Sequence, residues 1–238
     1  MFLGLYNYTT YLTYLNLLSG FCGIGFAVYG KYIYSLIFLL LSGICDMFDG
    51  LISRMKKNRT LIEKRYGVQI DSLADMISFG FLPIFINHSL TWNKDKSQFI
   101  LLQKFENEPY FIFLIGFFWS LYLLAALIRL AYYNVLTESN NIKTKKFIGV
   151  PVTTAAIIFP FLGFLKENIF ITEQNDWFWF WIHFICMTLL TFLFLCNKIT
   201  LKKPKAKKTI ILIGLVGFVW VVFLLCSKLY NHTEIGIN

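Results

Sequence analysis

Long, continuously apolar runs separated by short polar stretches dominate this chain from its first residues to its last. A hydrocarbon core about 30 Å thick takes roughly 20 helical residues to cross, and runs of that order recur seven times. The spans are predicted near Tyr11 to Tyr29, Tyr32 to Leu51, Ile70 to Ile86, Tyr110 to Leu130, Ile148 to Leu165, Trp177 to Leu195 and Ile210 to Leu225, with ends set only to within several residues. An odd number of unbroken apolar runs does not suit the alternating strands of a membrane barrel, so all seven are read as helices. The expected fold class is all-α, a polytopic transmembrane helical bundle. The first span is expected to stay in the mature protein, because no basic region precedes it and Thr13 and Asn16 interrupt its apolar run.

Composition sharpens this reading. Of 238 residues, 57% are hydrophobic, 19% aromatic and only 15% charged, too little charge for an ordinary soluble domain. A net charge of +9 raises the question of nucleic acid, but the placement of the basic residues answers it. They gather after span two (Arg54, Lys56, Lys57, Arg59, Lys64, Arg65), after span four (Lys143, Lys145, Lys146) and after span six (Lys198, Lys202, Lys203, Lys205, Lys207, Lys208). Alternate loops with excess Lys and Arg are cytoplasmic by the positive-inside rule, which puts the N-terminus inside and the C-terminus outside. Each such charge against an anionic leaflet is worth about 1 kcal/mol, so membrane lipids and not nucleic acid are the expected partners. Cys22, Cys45, Cys186, Cys196 and Cys226 are scattered without metal-ligand spacing and predict free thiols. His88, His183 and His232 likewise show no ligand spacing, and structural or interfacial roles are expected for them.

Aspartate is the informative residue. The chain has six, and four of them (Asp46, Asp49, Asp71, Asp75) fall at the ends of two apolar spans, with only Asp95 and Asp176 elsewhere. An intramembrane carboxylate costs several kcal/mol unless paired, so its default reading is functional. Asp46 and Asp49 stand three apart on the helix ending span two, and Asp71 and Asp75 stand four apart on the helix opening span three, so each pair shares one helical face. Two antiparallel helices joined by a cytoplasmic loop bring the pairs together. Four like charges repel, and hard oxygen donors match Mg²⁺, Mn²⁺ or Ca²⁺. The competing arrangement pairs the acids with Arg54, Lys64 and Arg65. Gly50 and Gly67 flank the acids, where a missing side chain suits either ligand approach or close helix packing.

These residues resemble the CDP-alcohol phosphotransferase family, whose pattern Asp-x-x-Asp-Gly-x-x-Ala-Arg is followed, after a spacer, by Gly-x-x-x-Asp-x-x-x-Asp. Here it reads Asp46, Asp49, Gly50, Ser53, Arg54, then Gly67, Asp71 and Asp75. Ser53 replaces the usual alanine, and the spacer holds twelve residues where the family usually has eight, about one extra helical turn. Within the family, the run Asp71-Ser72-Leu73-Ala74-Asp75, then Ser78-Phe79-Gly80 and Pro83, is most similar to the CDP-diacylglycerol serine phosphatidyltransferases. Thr13, Asn16 and Gly20 in the first span, Arg129-Leu130-Ala131 and Asn134 in the fourth, and Phe147 to Pro151 before the fifth agree with that branch, whereas Tyr132 stands where it usually has a second arginine.

The resemblance implies a six-helix family core plus one helix, with residues 1–200 as the phosphotransferase domain and 201–238 as a basic loop and additional helix. It implies that Asp46, Asp49, Asp71 and Asp75 hold two divalent ions, that Asp75 is the catalytic base, and that Gly50, Arg54, Gly67 and Asn16 bind the nucleotide. The expected reaction joins CDP-diacylglycerol to L-serine in a homodimer. Arg129 and Asn134 are expected at the acceptor, since a planar guanidinium suits a carboxylate or phosphate. The same transfer to inositol phosphate, glycerol phosphate or choline is the nearest alternative. A transporter would show internal repeats or a midplane site, and a scaffold would have no use for four carboxylates.

Overall fold

The computed structural model describes residues 4, 6–56, 59–93, 98–99, 109–139, 146–168, 176–198 and 200–202. The span predicted at Ile210 to Leu225 lies outside the described residues, as do Asp95, Cys226 and His232. The helices are α1 (Tyr8–Val28), α2 (Tyr32–Met55), α3 (Leu61–Asp75), a π-helical segment (Met76–Phe81), α4 (Leu82–Ser89), α5 (Pro109–Ser139), a 3-10 turn (Val152–Thr154), α6 (Ala155–Asn168) and α7 (Asp176–Leu195). Two short antiparallel pairings join loops: β1 (Trp92–Asn93) with β2 (Gln98–Phe99), and β3 (Lys146–Ile148) with β4 (Thr200–Lys202).

Among the described residues, five helical stretches are long and apolar enough to cross a membrane: Thr10–Val28, Tyr32–Ser53, Leu61–Ser89, Tyr110–Leu136 and Asp176–Leu195. The fifth predicted span is shorter than expected. Gly149 takes φ +78° and Pro151 heads the 3-10 turn, so the chain from β3 to Pro151 is not helical and α6 has 14 residues, about 21 Å. Phe113, Phe117 and Leu127 on α5 and Ile185, Leu189 and Phe192 on α7 point outward, an apolar exterior suited to lipid.

The third span also begins earlier than predicted. Thr60 accepts a hydrogen bond from the Glu63 N–H (3.2 Å) and Glu63 accepts one from the Thr60 N–H (2.9 Å), a reciprocal cap that starts α3 at Leu61. Glu63 also receives Asn7 Nδ2 (2.7 Å) and Lys56 Nζ (3.0 Å), fastening the chain before α1 and the α2–α3 loop to that cap. About half of the spacer is therefore helical, and Asp71 lies well inside a continuous helical run.

That run widens just after Asp75. Pro83 has no N–H, so the Phe79 carbonyl loses its ordinary helical donor four residues on. The buried Tyr122 hydroxyl of α5 donates to it instead, at 2.8 Å. The core surrounding this point is formed by Leu36, Leu39, Phe79, Leu82, Ile86, Tyr122, Phe159 and Phe180. Small residues let the helices approach: a Cβ on Gly20 would lie 2.9 Å from Ser78 Cα, and one on Gly43 would lie 2.7 Å from Ala156 Cβ. α1 is thus pressed against the segment that follows Asp75.

At the far end of the bundle, Lys166 of α6 pairs with Asp176 of α7 at 3.0 Å and lies over the Tyr32 ring, while the Tyr32 hydroxyl meets His183 Nε2 at 3.0 Å. His183 is fully buried. This network joins α2, α6 and α7, in keeping with the structural role expected of that histidine. The described cysteines, Cys22, Cys45, Cys186 and Cys196, are free thiols.

Candidate active site

α2 and α3 run antiparallel because only the five residues from Lys56 to Thr60 separate them. Their i, i+3 and i, i+4 spacings then turn acids from both helices toward each other. Asp46, Asp49 and Asp71 each place a carboxylate oxygen within 4.8 Å of the others. The trio lies roughly 9 to 15 Å along the helices from their loop ends, at 1.5 Å per residue. Among the described residues, no ion pair joins any of the four acids to a lysine or arginine. Asp71 Oδ1 is buried without a hydrogen-bond partner, and Thr13 Oγ1 donates to Asp49 Oδ2 at 2.9 Å.

These donors fit a divalent cation. Three carboxylates brought this close repel, and an orphaned buried oxygen is costly unless something binds it. Hard anionic oxygens select Mg²⁺, Mn²⁺ or Ca²⁺ over soft metals.

Asp75 stands one turn beyond Asp71 and outside the group of three. Asn16 Nδ2 donates to its Oδ1 at 3.0 Å, and both residues are buried. Asn16 is itself clamped, its carbonyl accepting from Ser78 Oγ (3.0 Å) and Ser42 Oγ (3.3 Å). The structure therefore sets Asn16, expected at the nucleotide, against the fourth acid. Thr13, Ser42 and Ser78 are the supporting residues that sequence reasoning did not assign to the site. Thr13, Asn16 and Gly20 recur at helical spacing along the apolar α1, and that was the legible signal.

The glycines divide. Among the described residues, a Cβ on Gly50 would meet nothing within 4 Å. One on Gly67 would lie 2.7 Å from Arg59 Nη2. The side chain of Arg54 lies outside the described residues.

Arg129 and Asn134 both lie on α5, and among the described contacts only Asn134 of the two reaches α3. Arg129 is buried, donates from Nε to the Val150 carbonyl (3.1 Å) and lies over the Tyr133 ring. It thereby holds the irregular stretch before α6, and among the described residues it has no carboxylate partner. Asn134 Nδ2 donates to Ser72 Oγ at 2.7 Å, beside Asp71. The pairing of Phe147 with Leu201 joins β3, which follows α5, to β4, which follows α7.

Fold and site together define a helical membrane protein with a carboxylate centre set between two of its spans. The chain belongs to the CDP-alcohol phosphatidyltransferase family, whose sequence profile matches residues 6–190. It is 32% identical over 161 residues to a CDP-diacylglycerol–serine O-phosphatidyltransferase of Saccharomyces cerevisiae, covering 62% of this chain and 50% of that protein. It is 31% identical over 159 residues to an archaetidylserine synthase of Methanothermobacter thermautotrophicus, covering 66% and 58%. A CDP-diacylglycerol–serine O-phosphatidyltransferase of Helicobacter pylori is 26% identical over 172 residues, covering 72% and 63%. The matched stretch thus spans half to just under two thirds of the length of these relatives.

Proposed function

We propose that this chain transfers a phosphatidyl group from CDP-diacylglycerol to L-serine, releasing CMP, with divalent metal at the carboxylate centre. The observation that carries the reading is the meeting of Asp46, Asp49 and Asp71 within 4.8 Å, with one Asp71 oxygen buried and unpartnered. Names of relatives from three organisms specify serine as acceptor or product moiety, which supports the choice of alcohol.

Asp46, Asp49 and Asp71 would hold the metal, with Asp75 at its edge. A bound pair of Mg²⁺ or Mn²⁺ ions supplies charge neutralisation at the donor diphosphate and Lewis-acid activation of phosphorus. Gly50 leaves room for the nucleotide beside Asp49, with Arg54 and Gly67 as further nucleotide contacts. Asn16 fixes one oxygen of Asp75, and the other takes the proton of the serine hydroxyl as that oxygen attacks phosphorus and CMP departs. Holding both reactants between α2, α3 and α5 contributes through orientation. Arg129 would offer its guanidinium to the serine carboxylate, and Asn134, bonded to Ser72, lies beside the acids on α3.

The test is direct. Purified protein is incubated with CDP-diacylglycerol, Mn²⁺ or Mg²⁺ and, separately, serine, glycerol phosphate, inositol phosphate or choline, and the lipid product is identified by mass. Phosphatidylserine formed only with serine is expected. A product with another alcohol reassigns the acceptor, and no product with any of them overturns the reading.

A further inference from the structure

Arg59 is a residue close to the site whose chemistry the proposed reaction leaves unused. Its guanidinium lies directly over Gly67, where a Cβ would stand 2.7 Å from Nη2. Nη1 donates to Ser53 Oγ and to the Ser53 carbonyl (3.5 Å), and Nη2 donates to the Glu63 carbonyl (3.2 Å). All of these acceptors are neutral. The Glu63 carboxylate is occupied elsewhere, by Asn7, Lys56 and the Thr60 N–H. Arg59 Nε is buried with no partner, and among the described residues the guanidinium forms no ion pair.

Its place relative to the acids follows from helical spacing. Ser53 is four residues after Asp49, and Gly67 is four before Asp71, so each lies one turn, about 5 to 6 Å, from the carboxylate trio on the loop side. Arg59 bridges those two positions from the loop between the helices. The result is a cation about one helical turn from the metal-binding acids, held by neutral groups, with an unspent donor and, among the described residues, no ion-pair partner. A planar guanidinium so placed suits a phosphoryl oxygen, which it can meet with two parallel hydrogen bonds.

We propose that Arg59 is a binding residue for the donor, its guanidinium contacting a phosphoryl group of the nucleotide half, with Ser53 and Gly67 serving to seat it. This rests on the reading of the centre as a CDP-lipid site. It gives Gly67 a specific purpose, since any side chain there would displace the guanidinium. Ser53 likewise acquires a role as the hydroxyl that holds Arg59 in place of the family's usual alanine.

The experiment measures equilibrium binding of radiolabelled CMP, at fixed Mn²⁺, to the full chain in nanodiscs of zwitterionic lipid. Arg59→Gln is expected to weaken CMP binding about 10- to 100-fold, the usual loss for a charge-assisted contact. Arg59→Lys keeps charge without the fork and should lose less, and Ser53→Ala should lose a few-fold. Mn²⁺ affinity, read separately, should stay within about two-fold for all three variants, because none supplies a carboxylate. Should Arg59→Gln not fold, the other two variants carry the same test. CMP binding by Arg59→Gln equal to wild type would overturn the assignment, as would tighter binding, which would make Arg59 an obstruction over Gly67. A loss that appears only in anionic nanodiscs would assign Arg59 to lipid headgroups and also overturn it. Wild-type protein that fails to bind CMP at any Mn²⁺ concentration would instead refute the CDP-lipid reading itself, so the two failures are distinguishable.

Discussion

Replacing Asp75 and Asp46 by asparagine, one at a time, separates a base from a ligand. Asp75 stands outside the trio whose oxygens converge within 4.8 Å, and its Oδ1 is held by Asn16 Nδ2 at 3.0 Å. An asparagine there keeps an Oδ1 for Asn16 to hold, so geometry is preserved while the proton-accepting oxygen becomes an amide nitrogen. The three converging carboxylates are untouched. Asp75→Asn should therefore lower kcat by about 10² to 10⁴, the range for loss of a general base, or about 2.7 to 5.4 kcal/mol of transition-state stabilisation. CDP-diacylglycerol should bind within a few-fold of wild type. Asp46→Asn removes one of three converging carboxylates and should weaken metal binding by at least about 10- to 100-fold, the effect of losing even a supporting group around a metal. The assay is CMP release measured across a wide Mn²⁺ titration. Asp46→Asn should recover part of its rate at high Mn²⁺, and Asp75→Asn should not. Recovery of Asp75→Asn as complete as that of Asp46→Asn would refute the reasoning, because Asp75 would then be one more ligand.

Four other outcomes follow from the same structure. Excess EDTA should abolish turnover and added Mn²⁺ or Mg²⁺ restore it; undiminished activity in EDTA would rule out the metal reading. Gly20→Ala should cost about 1 to 3 kcal/mol in thermal unfolding, because its Cβ meets the Ser78 backbone, whereas Gly25→Ala, with nothing within 4 Å, should be neutral or slightly stabilising. Tyr122→Phe should destabilise by about 1 to 3 kcal/mol in the same assay by leaving the Phe79 carbonyl short of its 2.8 Å donor, and an unchanged Tm would contradict the proposed role of Pro83. A cysteine introduced by Lys57→Cys should escape an impermeant thiol reagent added outside intact cells, since the α2–α3 loop is expected in the cytoplasm; its labelling would reverse the orientation.

What the sequence alone determined was the local order of the site. Helical periodicity places Asp46 with Asp49 and Asp71 with Asp75 on common faces, and two antiparallel helices joined by one loop bring those faces together, so the clustering of the acids was legible in the sequence. Thr13, Asn16 and Gly20 on α1 stood out through the family resemblance, which did not say that Thr13 would meet Asp49 or Asn16 would meet Asp75. Tertiary structure decided everything that depends on how one helix is rotated and offset against another. Periodicity says which residues share a face, not which residue of the facing helix each will meet. Only packing of Gly20 on Ser78 aims Asn16 at Asp75, setting that acid apart from the other three. The reciprocal cap at Thr60 and Glu63, not the onset of the apolar run, starts α3, because hydrogen bonding to the first free N–H groups outweighs the polarity of that turn. Arg59 shows the same limit: in sequence it is one charge among several in a basic loop, and only the antiparallel return of α3 past α2 sets its guanidinium between Ser53 and Gly67, one turn from the acids.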